Sequence, residues 1–317
     1  MKILLIDTIH PAFNRIVEKK GFLCEDGSSL SVEEIIECIH TYTGMVIRSR
    51  FDIDKRFIDA ATQLKFIARA GAGMENINVE YAKSKGIRCI NSPEGNRNAV
   101  AEHALGMLLS LLNNLNKADY EVRHGIWKRE ENRGTELDGQ IIGIIGFGNT
   151  GSSLVKKLSG FDVRILAYDP FITIDTTQYP NVNQVAMEEI FTHAGILSLH
   201  VPLTSETDNL VNSDFISRFS KKIILINTSR GRVVSSAAVA AALEADKIAG
   251  ACLDVFDFED SSFETADTTH SEGFEYLQLS NRVVLSPHIA GWSHQSNEKI
   301  SRVLAEKVIG LEHHTLE

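Results

Sequence analysis

The chain has 317 residues, 43% hydrophobic and 23% charged, with a formal net charge of −10, which is length for two domains of ordinary size and the composition of a globular protein. The acidic balance argues against nucleic-acid or anionic-membrane partners, so an anionic substrate needs a local basic pocket. No long apolar run suggests a membrane span, and the opening Met1–Asp7 segment is too briefly apolar for a secretory signal.

Apolar stretches near 2–6, 45–48, 66–69 and 88–90 read as strands, and so do stretches near 141–145, 163–168, 196–200, 223–227, 249–253 and 283–285. Helical patterns lie between them, for example Val32–Cys38, Ala237–Ala245 and His294–Ile309. This alternation predicts an α/β protein with doubly wound parallel sheets covered by helices on both faces. A long helical run is expected from Ala99 to Arg123, with Val100, Leu105, Leu108, Leu109, Leu112 and Leu115 as its apolar stripe. Cys24, Cys38, Cys89 and Cys252 have no C-x-x-C spacing and no clustered histidines. They argue against a disulfide scaffold or a zinc site and fit a reducing cytoplasm. From Asp257 to Asn281 the chain is acidic and lacks Lys and Arg, which reads as a solvated excursion or as a segment at a cleft mouth. The terminal His313-His314 pair reads as a frayed end.

The run Ile141–Gly151 joins an apolar strand to a turn and the start of a helix, and it carries G-x-G-x-x-G at Gly146, Gly148 and Gly151. Gly146 allows the tight turn, Gly148 lets backbone approach a pyrophosphate, and Gly151 lets helix and strand pack closely. The free N–H groups at the start of that helix, at Asn149 and Thr150, favour an anion. The next apolar strand, Val163–Tyr168, ends in Asp169, an acid placed to accept hydrogen bonds from a ribose and to repel a 2′-phosphate. The expected cofactor is NAD rather than NADP.

Because the glycine turn starts at 146, a complete α/β unit precedes it. The expected boundaries are 1–96 and 292–317 for a flavodoxin-like substrate domain and 97–291 for a Rossmann-type cofactor domain inserted into it. The cleft between two such domains is the expected ligand site.

Three further motifs follow predicted strands: Ile226–Gly231 with Arg230, Leu253–Glu259 with Asp254, and Leu285–Trp292 with His288. Earlier in the chain stand Arg69–Ile77 and Asn91–Asn96, the latter followed by Ala99–His103. Taken in order, these segments resemble the D-isomer-specific 2-hydroxyacid dehydrogenase family, and most closely its short phosphoglycerate dehydrogenase-like members. The resemblance covers nearly the whole chain and implies no additional regulatory domain after residue 317. It implies a catalytic Arg230, an acid at Glu259 and an acid/base at His288. Moving a hydride at C2 of a 2-hydroxy acid requires a proton to move on the hydroxyl, and a histidine with an ordinary pKa of about 6.5 can do this near neutrality. A carboxylate beside it stabilises the imidazolium, and a planar guanidinium can grip the substrate carboxylate.

By the same resemblance, Ala72 and Gly73 hold the substrate carboxylate. His200, Val201, Pro202 and Thr207 line the cofactor, with Thr228, Ser229, Asp254 and Gly291 near the nicotinamide and its ribose. Two departures from the family pattern stand out. Asp260-Ser261-Ser262 follows the acid where many relatives place a proline, and 29 residues separate Glu259 from His288. Arg48, Arg50 and Arg97 are either surface residues or a source of positive charge for a C3 phosphate. This tips the expected substrate toward 3-phosphoglycerate, a precursor in serine biosynthesis, over glyoxylate, hydroxypyruvate or pyruvate-like acids. Trp292 either caps the substrate or packs between domains. A homodimer through the cofactor domain is expected from the family. The alternative from another class is an NAD(H)-sensing, corepressor-like binding protein, which the fold alone does not exclude.

Overall fold

The computed structural model describes residues 1–259 and 272–313, with the backbone alone for 312 and 313. The centre of the acidic segment and the side chains of the His313-His314 pair lie outside the described residues. Two compact units emerge. One comprises Met1–Arg97 and the chain from Trp292 onward; the other comprises Asn98–Glu259 and a later segment ending at Gly291.

The first unit holds a parallel sheet of five strands: β1 (Lys2–Leu5), β2 (Leu23–Asp26), β3 (Gly44–Ile47), β4 (Phe66–Arg69) and β5 (Arg88–Asn91), in the order β2-β1-β3-β4-β5. That is the flavodoxin-like order. Alternate residues of β1 face opposite sides. Leu4 joins Ile35, Ile39 and Phe57 on one face, while Ile3 and Leu5 join Phe13, Val17 and, from the C-terminal helix His294–His313, Leu304 and Val308 on the other.

The second unit holds seven parallel strands: β6 (Ile141–Ile145), β7 (Arg164–Tyr168), β8 (Val182–Gln184), β9 (Ile196–Leu199), β10 (Ile224–Asn227), β11 (Gly250–Leu253) and β12 (Val283–Leu285). Their order is β12-β11-β10-β9-β6-β7-β8. The winding direction reverses between β6 and β9, so the carboxyl ends of these two strands flank a topological switch point, where such sheets bind ligands. Burial on both faces explains why the inner strands read as near-continuous apolar runs.

Two strands, β2 and β8, have no counterpart in the sequence expectation. Both are sheet edges, and Leu23-Cys24-Glu25-Asp26 and Val182-Asn183-Gln184 are largely solvent-facing, so neither needs an apolar run. The expected single helix from Ala99 to Arg123 is corrected. It begins at Pro93, ends at Leu112, and a second helix runs Leu115–Arg123 after Asn114 adopts a left-handed φ of +53°. Leu115, assigned to the buried stripe, is exposed beyond that break. The described flanks of the acidic segment are mixed: Asp257, Glu272, Glu275 and Leu279 are exposed, as a solvated excursion requires, while other side chains pack inward. Phe256, Phe258 and Phe274 form an aromatic cluster, and Asp257 accepts hydrogen bonds from the Ser236 amide and hydroxyl at the start of helix Ser236–Glu244. No helix of the described residues is long and apolar enough to cross a membrane.

Candidate active site

The glycine turn is built largely by what glycine lacks. Gly146 follows β6 with φ +90°, and a Cβ there would stand 2.4 Å from the His200 carbonyl oxygen. A Cβ on Gly151 would stand 2.2 Å from the Gly146 carbonyl oxygen, so this glycine lets helix Asn149–Leu158 sit on the turn. Gly148 differs, because a Cβ there would meet no protein atom within 4 Å. Its lack of a side chain serves no protein packing, which fits a ligand backbone approach. No side chain caps the helix at Gly148, so its first amides remain for an anion.

Thr150 and His200 brace this turn. His200 Nδ1 lies 3.1 Å from Thr150 Oγ1 and its Nε2 lies 2.9 Å from Ser198 Oγ. Burial pushes the His200 pKa down to about 4, so the ring is neutral near pH 7. Val201 flanks Gly146. The Thr207 hydroxyl donates to the Pro202 carbonyl at 2.6 Å and closes the loop that follows β9. Asp169 has a structural use that its place in the motif does not reveal. Its carboxylate accepts from the amides of Phe147, Phe171 and Ile172 at 2.8 to 3.1 Å, tying the β7 end to the glycine turn.

The next three crossings meet because β10, β11 and β12 are parallel neighbours, which puts their carboxyl ends at one sheet edge. After β10, Asn227 is fully buried. Its Oδ1 accepts from the Ser229 amide and hydroxyl, and its Nδ2 donates to the Arg230 carbonyl at 2.9 Å. Ser229, expected at the cofactor, thus spends its hydroxyl on this turn, while Arg230 Nη1 donates to the Ser229 carbonyl at 2.7 Å. The neighbouring Thr228 Oγ1 is buried with no hydrogen-bond partner among the described residues. Such an orphaned hydroxyl costs free energy unless a ligand satisfies it. A Cβ on Gly231 would fall 1.7 Å from the Phe256 carbonyl oxygen, so glycine brings the Arg230 crossing against the loop after β11.

That loop carries the acid. Glu259 Oε1 accepts from the Phe256 amide at 2.6 Å, and Oε2 lies 2.7 Å from His288 Nδ1. One residue, Phe256, therefore abuts Gly231 with its carbonyl and holds Glu259 with its amide. Asp254, expected near the nicotinamide, directs its buried carboxylate at the loop after β12. Oδ1 accepts from Ser286 Oγ (2.6 Å) and the Ile289 amide (2.9 Å), and Oδ2 from the Ala290 amide (2.8 Å). The Asp254 carbonyl accepts from the His288 amide at 2.7 Å, and His288 sits at φ +53°, a conformation a non-glycine residue needs help to hold. Gly291 ends this segment of the second unit.

The remaining predicted residues belong to the first unit. The Arg48 guanidinium stacks on the Trp292 ring, 4.2 Å from its centroid, so Trp292 packs within this unit. The Arg48 amide donates to Asp7 Oδ2 at 2.5 Å. The Ala72 carbonyl accepts from Asn91 Nδ2 at 2.5 Å, fixing the turn that includes the buried Gly73. Arg97 is exposed. Arg50 is a correction. Its guanidinium donates to the carbonyls of Ile6, Gly27 and Leu30 and so serves the loops of its own sheet rather than an anion. Sequence reading did not single out Asn227, Ser286 or His103. A polar residue ending the apolar β10 was the available signal for Asn227.

Residues 105–290 match the family described as D-isomer specific 2-hydroxyacid dehydrogenase, NAD binding domain. The chain belongs to that family. It is 33% identical over 302 residues to the hydroxypyruvate reductase of Thermotoga maritima, covering 95% of each chain. It is 32% identical over 311 residues to the D-3-phosphoglycerate dehydrogenase of Archaeoglobus fulgidus, covering 98% of this chain and 57% of that one. The chain spans about half the length of the curated phosphoglycerate dehydrogenases it matches. Among solved structures, the apo D-lactate dehydrogenase from Escherichia coli aligns with a TM-score of 0.78 at 25% identity, covering 99% of this chain and 98% of that one. The second unit is thus an NAD-binding domain by family, and three observations fit the cofactor: the room at Gly148, the uncapped helix start and the orphaned Thr228 hydroxyl.

Proposed function

We propose that this chain catalyses NAD-dependent hydride transfer between a D-2-hydroxy acid and its 2-oxo acid, with D-3-phosphoglycerate as the substrate. The observation that carries this reading is the 2.7 Å pairing of His288 Nδ1 with Glu259 Oε2, joined through Phe256 to the Arg230 turn. Bound NAD supplies the hydride acceptor for oxidation and, reduced, the donor for reduction. Gly146, Gly148 and Gly151 with the amides of Asn149 and Thr150 hold its pyrophosphate, Asp169 its ribose, and Thr228 the nicotinamide side. Glu259 fixes the imidazole with Nδ1 toward itself, so Nε2 exchanges the proton. Neutral His288 takes the C2 hydroxyl proton in oxidation, and protonated His288 returns it in reduction. Arg230 binds the substrate carboxylate through its planar guanidinium.

One observation favours a second reading, the reduction of hydroxypyruvate. Arg50 is occupied by backbone carbonyls, so the positive charge for a phosphate falls to Arg48 and Arg97. The deciding experiment compares kcat/KM for 3-phosphohydroxypyruvate, hydroxypyruvate and glyoxylate with NADH. A preference for the phosphorylated acid of about tenfold or more, about 1.4 kcal/mol of transition-state binding, supports the first reading. The reverse preference transfers it to hydroxypyruvate. Inactivity on all three with tight NADH binding rejects the enzyme reading in favour of a sensor.

The same proposal includes a homodimer through the second unit, located in a reducing cytoplasm. Leu115, Tyr120, Val122, Ile126 and Trp127 form an exposed apolar set along helix Leu115–Arg123 and the turn beyond it, a pattern that marks an association surface. All four cysteines are free thiols. Sedimentation that finds only monomer at micromolar concentration would reject the dimer.

A further inference from the structure

His103 lies on helix Pro93–Leu112 and takes no part in the chemistry above, yet its ring ends a chain of hydrogen bonds leading to His288. Ser286 Oγ donates its one proton to Asp254 Oδ1 at 2.6 Å, far closer than its alternative acceptor, the Met107 sulfur at 3.7 Å. Having given that proton, Ser286 Oγ can only accept from His103 Nε2, 2.8 Å away, so Nε2 carries a proton. His103 Nε2 also lies 3.5 Å from Asp254 Oδ1. The Asp254 carboxylate is almost wholly buried, and its remaining bonds go to the Ile289 and Ala290 amides, the two residues after His288. Its carbonyl holds the His288 amide itself. A left-handed non-glycine backbone persists only where its surroundings over-determine it, and these bonds are the surroundings.

We propose that His103 is a positioning residue for the reaction: acting through Ser286, it orients Asp254 and thereby holds the left-handed backbone that presents His288 to Glu259. This rests on His288 being the proton carrier of the proposed function. The role needs an N–H donor at the Nε2 position and nothing else of the imidazole. A glutamine side chain can place an amide N–H there, whereas a leucine fills the space without donating.

The test uses the full chain and the variants His103→Leu, His103→Gln, Ser286→Ala and the double variant His103→Leu with Ser286→Ala. Hydrogen exchange of the Ile289 and Ala290 amides is followed without substrate, and kcat and KM are measured with NADH and hydroxypyruvate or its phosphate. Exchange at these two amides should quicken about tenfold in His103→Leu, the consequence of losing one net hydrogen bond. Its kcat should fall about tenfold through misplacement of His288, with KM for NADH within about twofold. His103→Gln should restore both readouts to within about threefold of wild type, and the double variant should cost no more than the worse single one, because both act through one chain. Unchanged exchange and kcat in His103→Leu would overturn the proposal, as would a His103→Gln no better than leucine or additive losses in the double variant. Should the wild-type chain turn over none of the 2-oxo acids, the enzyme reading fails, while the exchange data still decide whether His103 holds the loop.

Discussion

Two loops of the second unit end parallel strands of one sheet and each turns through a left-handed residue: Gly146 after β6 at φ +90°, and His288 after β12 at φ +53°. The first is shaped by missing atoms, since side chains at Gly146 or Gly151 would strike neighbouring carbonyls. The second carries the side chain that the proposed chemistry uses, so on that reading it cannot use glycine. Instead Asp254, just past the adjacent strand, grips it: its carbonyl accepts from the His288 amide and its buried carboxylate from the Ile289 and Ala290 amides. On the proposed function, a binding turn can be written in residue type, whereas a reacting turn must be held from elsewhere.

The contrast is broken most forcefully by His288→Ala. Its turnover should fall about 10³-fold while the NADH dissociation constant, read by fluorescence titration, stays unchanged; near-wild-type turnover would erase the division between binding turn and reacting turn. Next in size is the acid side of His200, the buried brace of the glycine turn. Its pKa is lowered from 6.5 to about 4 by burial, so below pH 6.5 the unfolded chain takes up a proton that the native chain refuses. Native stability should therefore be flat above pH 6.5 and fall by about 3 kcal/mol as pH drops to about 4. Urea midpoints across that range should show the slope, and His200→Gln should flatten it; a slope that survives the substitution belongs to another group.

Smaller effects sharpen the account of the glycines. Gly151→Ala forces a Cβ to 2.2 Å from a backbone oxygen and should destabilise the unit by about 1–3 kcal/mol, visible in thermal melting. Gly148→Ala meets no protein atom within 4 Å. Its stability should stay within about 0.5 kcal/mol of wild type while NADH affinity drops. Equal melting losses for the two variants would mean that Gly148 serves packing after all.

Most of the strands legible beforehand lie inside the sheets, and the edges β5 and β12 were legible with them. The inner strands announce themselves as apolar runs because most of their residues are buried. The edges β2 and β8 escaped because Glu25, Asp26, Asn183 and Gln184 face solvent. The break at Asn113-Asn114 was missed because the apolar spacing continues to Leu115, which the left-handed turn carries onto the surface. Arg50 read as a candidate phosphate ligand because a sequence displays charge but not which carbonyls surround it.

From the sequence alone came the alternation that makes parallel sheets, the three glycines and the acid of the cofactor turn, and the succession of Arg230, Glu259 and His288 that matches one family. These are legible because a strand's burial, a turn's steric tolerance and a side chain's chemistry are properties of residue type and short spacing. Only the tertiary structure decided that Asp254 serves the His288 loop, that Asn227 sets the Arg230 turn, that Asp169 also clamps the glycine turn, and that His103 stands behind Ser286. Hydrogen bonds between residues far apart in the chain depend on which strands lie side by side, and that adjacency exists only once the sheet has formed.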